Sequence, residues 1–197
     1  LKVDDKVAAW DGVYLSKECL ESLVKTVGAA PSLEEVAKSV LEEPSLGAFL
    51  MRVTNSDIYG VPGQIESVPM AVAVLGKPGV LGVLENFIEP TSSRVLEPLG
   101  ALFQQSRLTA TVAQGLARAG GVVGEHAAHS LGMLGELGRI ALFSIAPVKY
   151  KRIKSHLYGV ELLAAEQRLF SMDHAAAAGA IADRWHFPGH LVKALRH

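Results

Sequence analysis

Thiol chemistry is nearly absent from this chain. Its 197 residues include one cysteine, Cys19. A single thiol closes no internal disulfide and builds no thiolate metal site, which points to a reducing, cytoplasmic setting with Cys19 as a small apolar residue. An excess of charge of one sign is also lacking: 19 Lys and Arg stand against 20 Asp and Glu. No basic surface is forced, so composition gives no support to nucleic acid as a partner. No stretch approaches the roughly 20 apolar residues that span a bilayer, and no secretory signal is visible, so no membrane association is expected. Three catalytic signatures are missing: a glycine-rich loop closing on Lys and Ser or Thr, a G-x-S-x-G elbow, and H-E-x-x-H. There is no internal repeat and no alternating run of strand length. The chain opens on Leu1, not Met, as a piece of a longer polypeptide or a trimmed one does.

What is present is apolar and helical in period. Apolar residues make up 49% of the chain. That suffices for a sizeable core and excludes a disordered chain. The length suits one domain or two small helical lobes. Ser32-Leu33-Glu34-Glu35 reads as a capping box, and Leu33, Val36, Ala37, Val40 and Leu41 follow as one buried face. Pro44 stops that helix, and Leu46, Phe49, Leu50 and Val53 mark the next. Ser67 caps a further helix that Gly76 ends, and Pro78 starts another running to about Glu89. Beyond Pro98 the helices lengthen: about Leu99 to Arg118, ending at Gly120-Gly121, then Gly124 to Ser144, Ser155 to Phe170, Asp173 to Trp185, and a short one after Pro188. The shift in composition near residues 90–98 marks a boundary between lobes.

Seven histidines, the commonest ligand and general base near neutral pH, all follow that boundary: His126, His129, His156, His174, His186, His190 and His197. His126 and His129 share a helix face as surface histidines or a weak ligand pair. His186 and His190 flank a helix break at Phe187-Pro188-Gly189. Asp173 sits where a helix begins, as an N-cap, which puts His174 in the first turn. His174 is then a histidine bonded to a neighbour, or a site residue. Gly132, Gly135 and Gly138 recur every third residue within one helix, each costing roughly 1 kcal/mol against alanine. Such a ridge admits a neighbouring helix or leaves room for a ligand.

Taken together these residues resemble one family. Val53-Thr54-Asn55-Ser56-Asp57-Ile58-Tyr59-Gly60 resembles the N-S-x-x-Y-G signature of the HD-related output domain, HDOD. Ile65-Glu66-Ser67 with Ala71 and Leu75-Gly76 resembles its next run. Gly132 to Arg139 is similar to the family's G-L-L-H-D-I-G segment. Glu166, Asp173-His174, Gly179, Trp185 and Pro188 resemble its last. The resemblance covers residues 20 to 197. It implies an all-α, two-lobed helical bundle. Residues 1–19 form an N-terminal extension, about 20–92 a helical lobe, and about 93–197 a lobe like that of HD-type phosphohydrolases.

HD enzymes hold a metal through a His, a His-Asp pair and a later Asp. Here the first His falls near Gln104 or Gln105, and the His-Asp pair aligns with Gly135-Glu136. His174 matches a histidine that persists in the family. His197 matches the start of a later His-His motif, or is a tag residue. Glycine offers no ligand, and a neutral amide replaces imidazole poorly at a transition metal. The resemblance therefore implies no catalytic residue, no metal and no cofactor. It leaves a remnant pocket of Gln105, Glu136, Asp173 and His174. The expected function is a non-catalytic bacterial signalling module that binds a protein partner or a small ligand. Two alternatives stand beside it. One is a divergent metal-dependent phosphohydrolase using Glu136 and His174. The other is a nucleotide sensor in which Arg107 or Arg139 meets phosphate.

Overall fold

Ser16, Ser32 and Asp173 each accept a hydrogen bond from a backbone N–H three residues on: Cys19 at 3.0 Å, Glu35 at 3.3 Å and Ala176 at 2.8 Å. These caps open three of the helices in the computed structural model, which describes residues 3–12, 14–59, 61–86, 90–121, 124–153 and 156–197. The first half runs α1 (Val3–Ala8), α2 (Lys17–Ala29), α3 (Leu33–Leu41), α4 (Pro44–Thr54), a 3-10 turn (Asp57–Tyr59) and α5 (Val68–Asn86). The second half runs α6 (Ser93–Leu96), a 3-10 turn (Glu97–Leu99), α7 (Gly100–Gly120), α8 (Glu125–Leu134) and α9 (Leu137–Ile145). It continues through α10 (Pro147–Tyr150), α11 (Gly159–Phe170), α12 (His174–Arg184) and α13 (Gly189–Leu195). No strand occurs among the described residues, so the architecture is all-α.

Asp173 tests the capping argument. Its carboxylate satisfies one of the N–H groups that a helix start leaves without an internal partner. Asp173→Ala should lower stability by about 1 kcal/mol. The measure is the urea midpoint at unchanged m-value; an unmoved midpoint would show that solvent serves the α12 start equally well.

The first lobe is α2, α3 and α4 packed on α5. In α3 the buried face is Val36, Ala37 and Val40, while Leu33, expected on that face, is 43% exposed. Only half of the capping box forms. The Glu35 carboxylate turns outward to Lys38, at 2.9 Å, instead of reaching back to the cap. Asn55 explains the signature around it. The side chain is fully buried, donates to the carbonyls of Met51 and Ile65 at 2.9 Å each, and accepts from Ile65 N–H at 3.1 Å. One amide thereby ties the end of α4 to the segment entering α5. The end of this motif, Gly60, lies outside the described residues, as do Glu89 and Ser155.

Length and composition make Val68–Asn86 apolar enough to cross a membrane, contrary to expectation, with a mean hydropathy of 1.5. Its backbone does not match that reading. Gly76 adopts φ 64 and ψ 171, a left-handed conformation that breaks the helix where the sequence places its end. Each arm then measures roughly 12–15 Å, half of a bilayer's hydrocarbon thickness. Val68, Ala71, Val72, Val80, Val83 and Leu84 are buried against the rest of the lobe.

Two further expectations are corrected. Gly124 to Ser144 is not one helix: it breaks at Gly135-Glu136 into α8 and α9. The helix expected from Ser155 starts at Gly159, and the short α10 precedes it. Buried residues from before and after the stretch near 90–98 belong to one core. Val68 N–H donates to the buried Ser130 Oγ of α8 at 3.0 Å, and a side chain on Gly47 of α4 would strike Met133. Residues 3–12 dock on the second half: α1 packs on α9 and α12, and Trp10 stacks on Trp185 with ring centroids 5.7 Å apart.

Candidate functional site

Two of the three ridge glycines bring the site together. A Cβ on Gly132 would meet the Ala110 Cα and Thr109 carbonyl oxygen of α7 at 2.8 Å. A Cβ on Gly138 would meet the His174 carbonyl carbon and Ala178 N of α12 at 2.8 and 2.9 Å. Their lack of side chains lets α7 and α12 press onto the α8–α9 unit from either side. Gly135 serves differently, since it stands at the break itself. That break turns Glu136 inward, with 8% of its surface exposed.

Arg139, one turn later, is the hub of the polar groups gathered there. Its Nη1 donates to Glu136 Oε2 at 2.8 Å and to Gln105 Oε1 at 3.4 Å, and its Nε donates to the Tyr150 hydroxyl at 3.3 Å. Tyr150 in turn donates to Glu166 Oε1 at 2.7 Å. Glu166 is fully buried; its Oε2 accepts from the His174 backbone N–H at 2.9 Å and lies 2.5 Å from the His174 ring Nδ1. With Nδ1 donating there, the Nε2 of His174 is left for the cleft. Burial works against the charge of Arg139, but Glu136, Tyr150 and Glu166 outweigh it and hold the guanidinium above its ordinary value. Burial and the neighbouring Glu166 push the Tyr150 phenol up, so it stays protonated and donates.

Part of this network borders a cleft of about 1190 Å³ built mostly from the second half of the chain. Gln105, Glu136, Arg139 and His174 line it, with several leucines and His156, His190, His197 and Glu66 also on its walls. His190 Nε2 lies 3.2 Å from Glu66 Oε2. Three of the four residues expected in a remnant pocket are therefore brought together. Asp173 is the correction: its carboxylate is turned to the α12 backbone as a cap, and it does not line the cleft. Of the two candidate glutamines, Gln105 is the one present. Arg107 faces away, toward the Glu42 carbonyl at 3.4 Å, and Arg139 is already paired.

The other candidates fall elsewhere. His126 and His129 do not line the cleft. Burial and the nearby His126 push the pKa of His129 down. His186 sits at φ 54 in the turn after α12. Cys19 is half-buried, and burial and Glu43 raise its thiol to about 12, so it is no thiolate nucleophile. Tyr150 and the inward role of Glu166 escaped sequence reading. Nothing local marks a tyrosine in a four-residue helix as the bridge between two helices.

An HD-type metal does not fit these residues. The carboxylate at the aspartate position is bonded to a guanidinium, and the glutamine accepts from the same group. Among the described residues no group of three or more His, Cys, Asp or Glu side chains is placed to hold a metal ion.

Comparison with known proteins agrees with this architecture. The family model of the HDOD domain matches residues 20–197. The structure of the MmoQ response regulator from Methylococcus capsulatus str. Bath superimposes with a TM-score of 0.74 at 24% identity, covering 94% of this chain and 78% of that one. A virulence factor from Campylobacter jejuni subsp. jejuni superimposes with a TM-score of 0.79 at 18% identity, covering 98% and 72%. At these identities the likeness concerns the fold. No curated protein matches the sequence.

Proposed function

We propose a function on one premise: the chain belongs to the HDOD domain family. It acts as a signalling-associated domain without catalysis, in a bacterial cytoplasm. Its cleft binds a small ligand, and the domain passes the change to a protein partner. One observation carries the reading. Arg139, a permanent cation supplied by the chain itself, binds the Glu136 carboxylate and the Gln105 amide oxygen, the two groups that the family resemblance sets at metal-ligand positions. A guanidinium can satisfy the surrounding oxygens, but it offers no open coordination position and cannot generate hydroxide from water. A likeness to a response regulator supports a place in signalling.

The rival reading is a divergent phosphohydrolase, and metal content separates the two. Purified protein is dialysed against Mn²⁺, Fe²⁺ or Zn²⁺, desalted and assayed for bound metal. The same samples are then tested for hydrolysis of bis(4-nitrophenyl) phosphate and a cyclic dinucleotide. The expected result is substoichiometric metal and no turnover above buffer. Stoichiometric metal together with turnover would sink the non-catalytic reading.

A further inference from the structure

Arg139 has five N–H donors in a fixed fork. Nε is given to Tyr150, and both hydrogens of Nη1 go to Gln105 and Glu136. The Nη2 amino group has no protein partner among the described residues, and Arg139 lines the cleft. On Glu136, Oε2 is taken by Arg139, and Oε1 has no hydrogen-bond partner among the described residues. A donor pair and an acceptor without protein partners thus belong to two side chains that are already joined to each other and both line the cleft. Beside them Gly135, also on the cleft wall, has no side chain to fill the space.

The charges of this wall cancel. The Arg139–Glu136 ion pair is 2.8 Å long and mostly shielded from solvent, so it presents a dipolar edge with no net charge. An anionic group drawn to Nη2 meets the Glu136 carboxylate at close range, and a cationic group drawn to Oε1 meets the guanidinium. The second cation that would serve a phosphate, Arg107, is turned away to Glu42. The rest of the cleft carries Leu131, Leu162, Leu163, Leu191 and Leu195 together with His156, His197 and the His190–Glu66 pair, and no further Lys or Arg lines it among the described residues.

We propose that the cleft takes a small uncharged molecule presenting a planar amide-type edge, with an apolar body behind it. The edge is a C=O beside an N–H, as in a carboxamide, a lactam or a nucleobase. The C=O accepts from Nη2 of Arg139 and the N–H donates to Oε1 of Glu136. Both bonds are charge-assisted, while the ligand itself brings no charge to be desolvated. The body of the ligand lies along the leucines. The proposal rests on the reading of this cleft as a ligand site and specifies what it selects.

The test compares neutral and anionic probes of one shape. The whole chain, labelled on nitrogen and on leucine methyls, is titrated by NMR at pH 8, above the ordinary histidine range. The probes are nicotinamide, nicotinate, guanosine and inorganic phosphate. Nicotinamide and guanosine should shift the Leu131 and Leu162 methyls and the Arg139 Nε–H. Nicotinate and phosphate should bind roughly tenfold more weakly or not at all. Glu136→Gln leaves Arg139 uncompensated and should reverse the ranking, so that nicotinate binds better than nicotinamide. If that variant does not fold, the ranking on the unaltered chain decides alone. Tighter binding of nicotinate or phosphate than of nicotinamide overturns the proposal and leaves the ligand-site reading in place. A cleft unmoved by all four probes overturns both.

Discussion

Replacing Glu166 with alanine is expected to cost the domain about 3–5 kcal/mol, because three hydrogen bonds to one buried carboxylate are lost at once. The carboxylate is fully buried and serves three donors on two other elements: the Tyr150 hydroxyl of α10 and the backbone and ring of His174 at the start of α12. Alanine removes all three bonds and leaves a void lined by polar groups that water cannot readily reach. Glu166→Gln keeps one acceptor oxygen but turns an NH₂ group toward a second donor. Its cost should be smaller, roughly 1–3 kcal/mol. Urea unfolding followed by tryptophan fluorescence reads both changes, because Trp185 follows α12 directly and stacks on Trp10. A loss below about 1 kcal/mol in the alanine variant would show that the network contributes little beyond ordinary hydrogen bonds.

The residues involved here show where sequence reading succeeds and where it stops. Caps at Ser32 and Asp173, the end of a helix at Gly76 and the buried face of α3 follow from rules that act over three or four residues. They were legible for that reason. Glu136, His174 and Gln105 were legible through the family resemblance, which carries long-range placement that periodicity lacks. Arg139 was legible as a candidate for phosphate but not as the hub. Its partners lie 34, 3 and 11 residues away, and only the fold sets those distances. Asp173 misled because neighbours in sequence need not share a direction at a helix start. Its carboxylate turns back on the helix while His174 turns to Glu166. The break at Gly135 escaped for a related reason. Propensity gives the same cost to a glycine that ends a helix and to one that admits a neighbour.

Gly138 is where that ambiguity has its largest consequence. Gly138→Ala should destabilise the domain by about 3 kcal/mol, even though alanine favours a helix by roughly 1 kcal/mol over glycine. The new methyl would meet the His174 carbonyl carbon at 2.8 Å and Ala178 N at 2.9 Å. Both are backbone atoms of α12, so no side chain can rotate aside. The only relief is to move α12 away from α9. That movement carries His174 off the wall it shares with Glu136 and Arg139, and it disturbs the Trp10–Trp185 stack. Gly115 supplies the contrast within the same fold. It lies inside α7 with nothing within 4 Å of an added Cβ, so Gly115→Ala should stabilise by about 0.5–1 kcal/mol through helix propensity alone. Urea midpoints that move in opposite directions for the two substitutions would establish that Gly138 is there for the approach of α12. A Gly138→Ala variant as stable as the parent would mean that α9 and α12 can separate freely, and that the polar wall between them is not held in place by their contact.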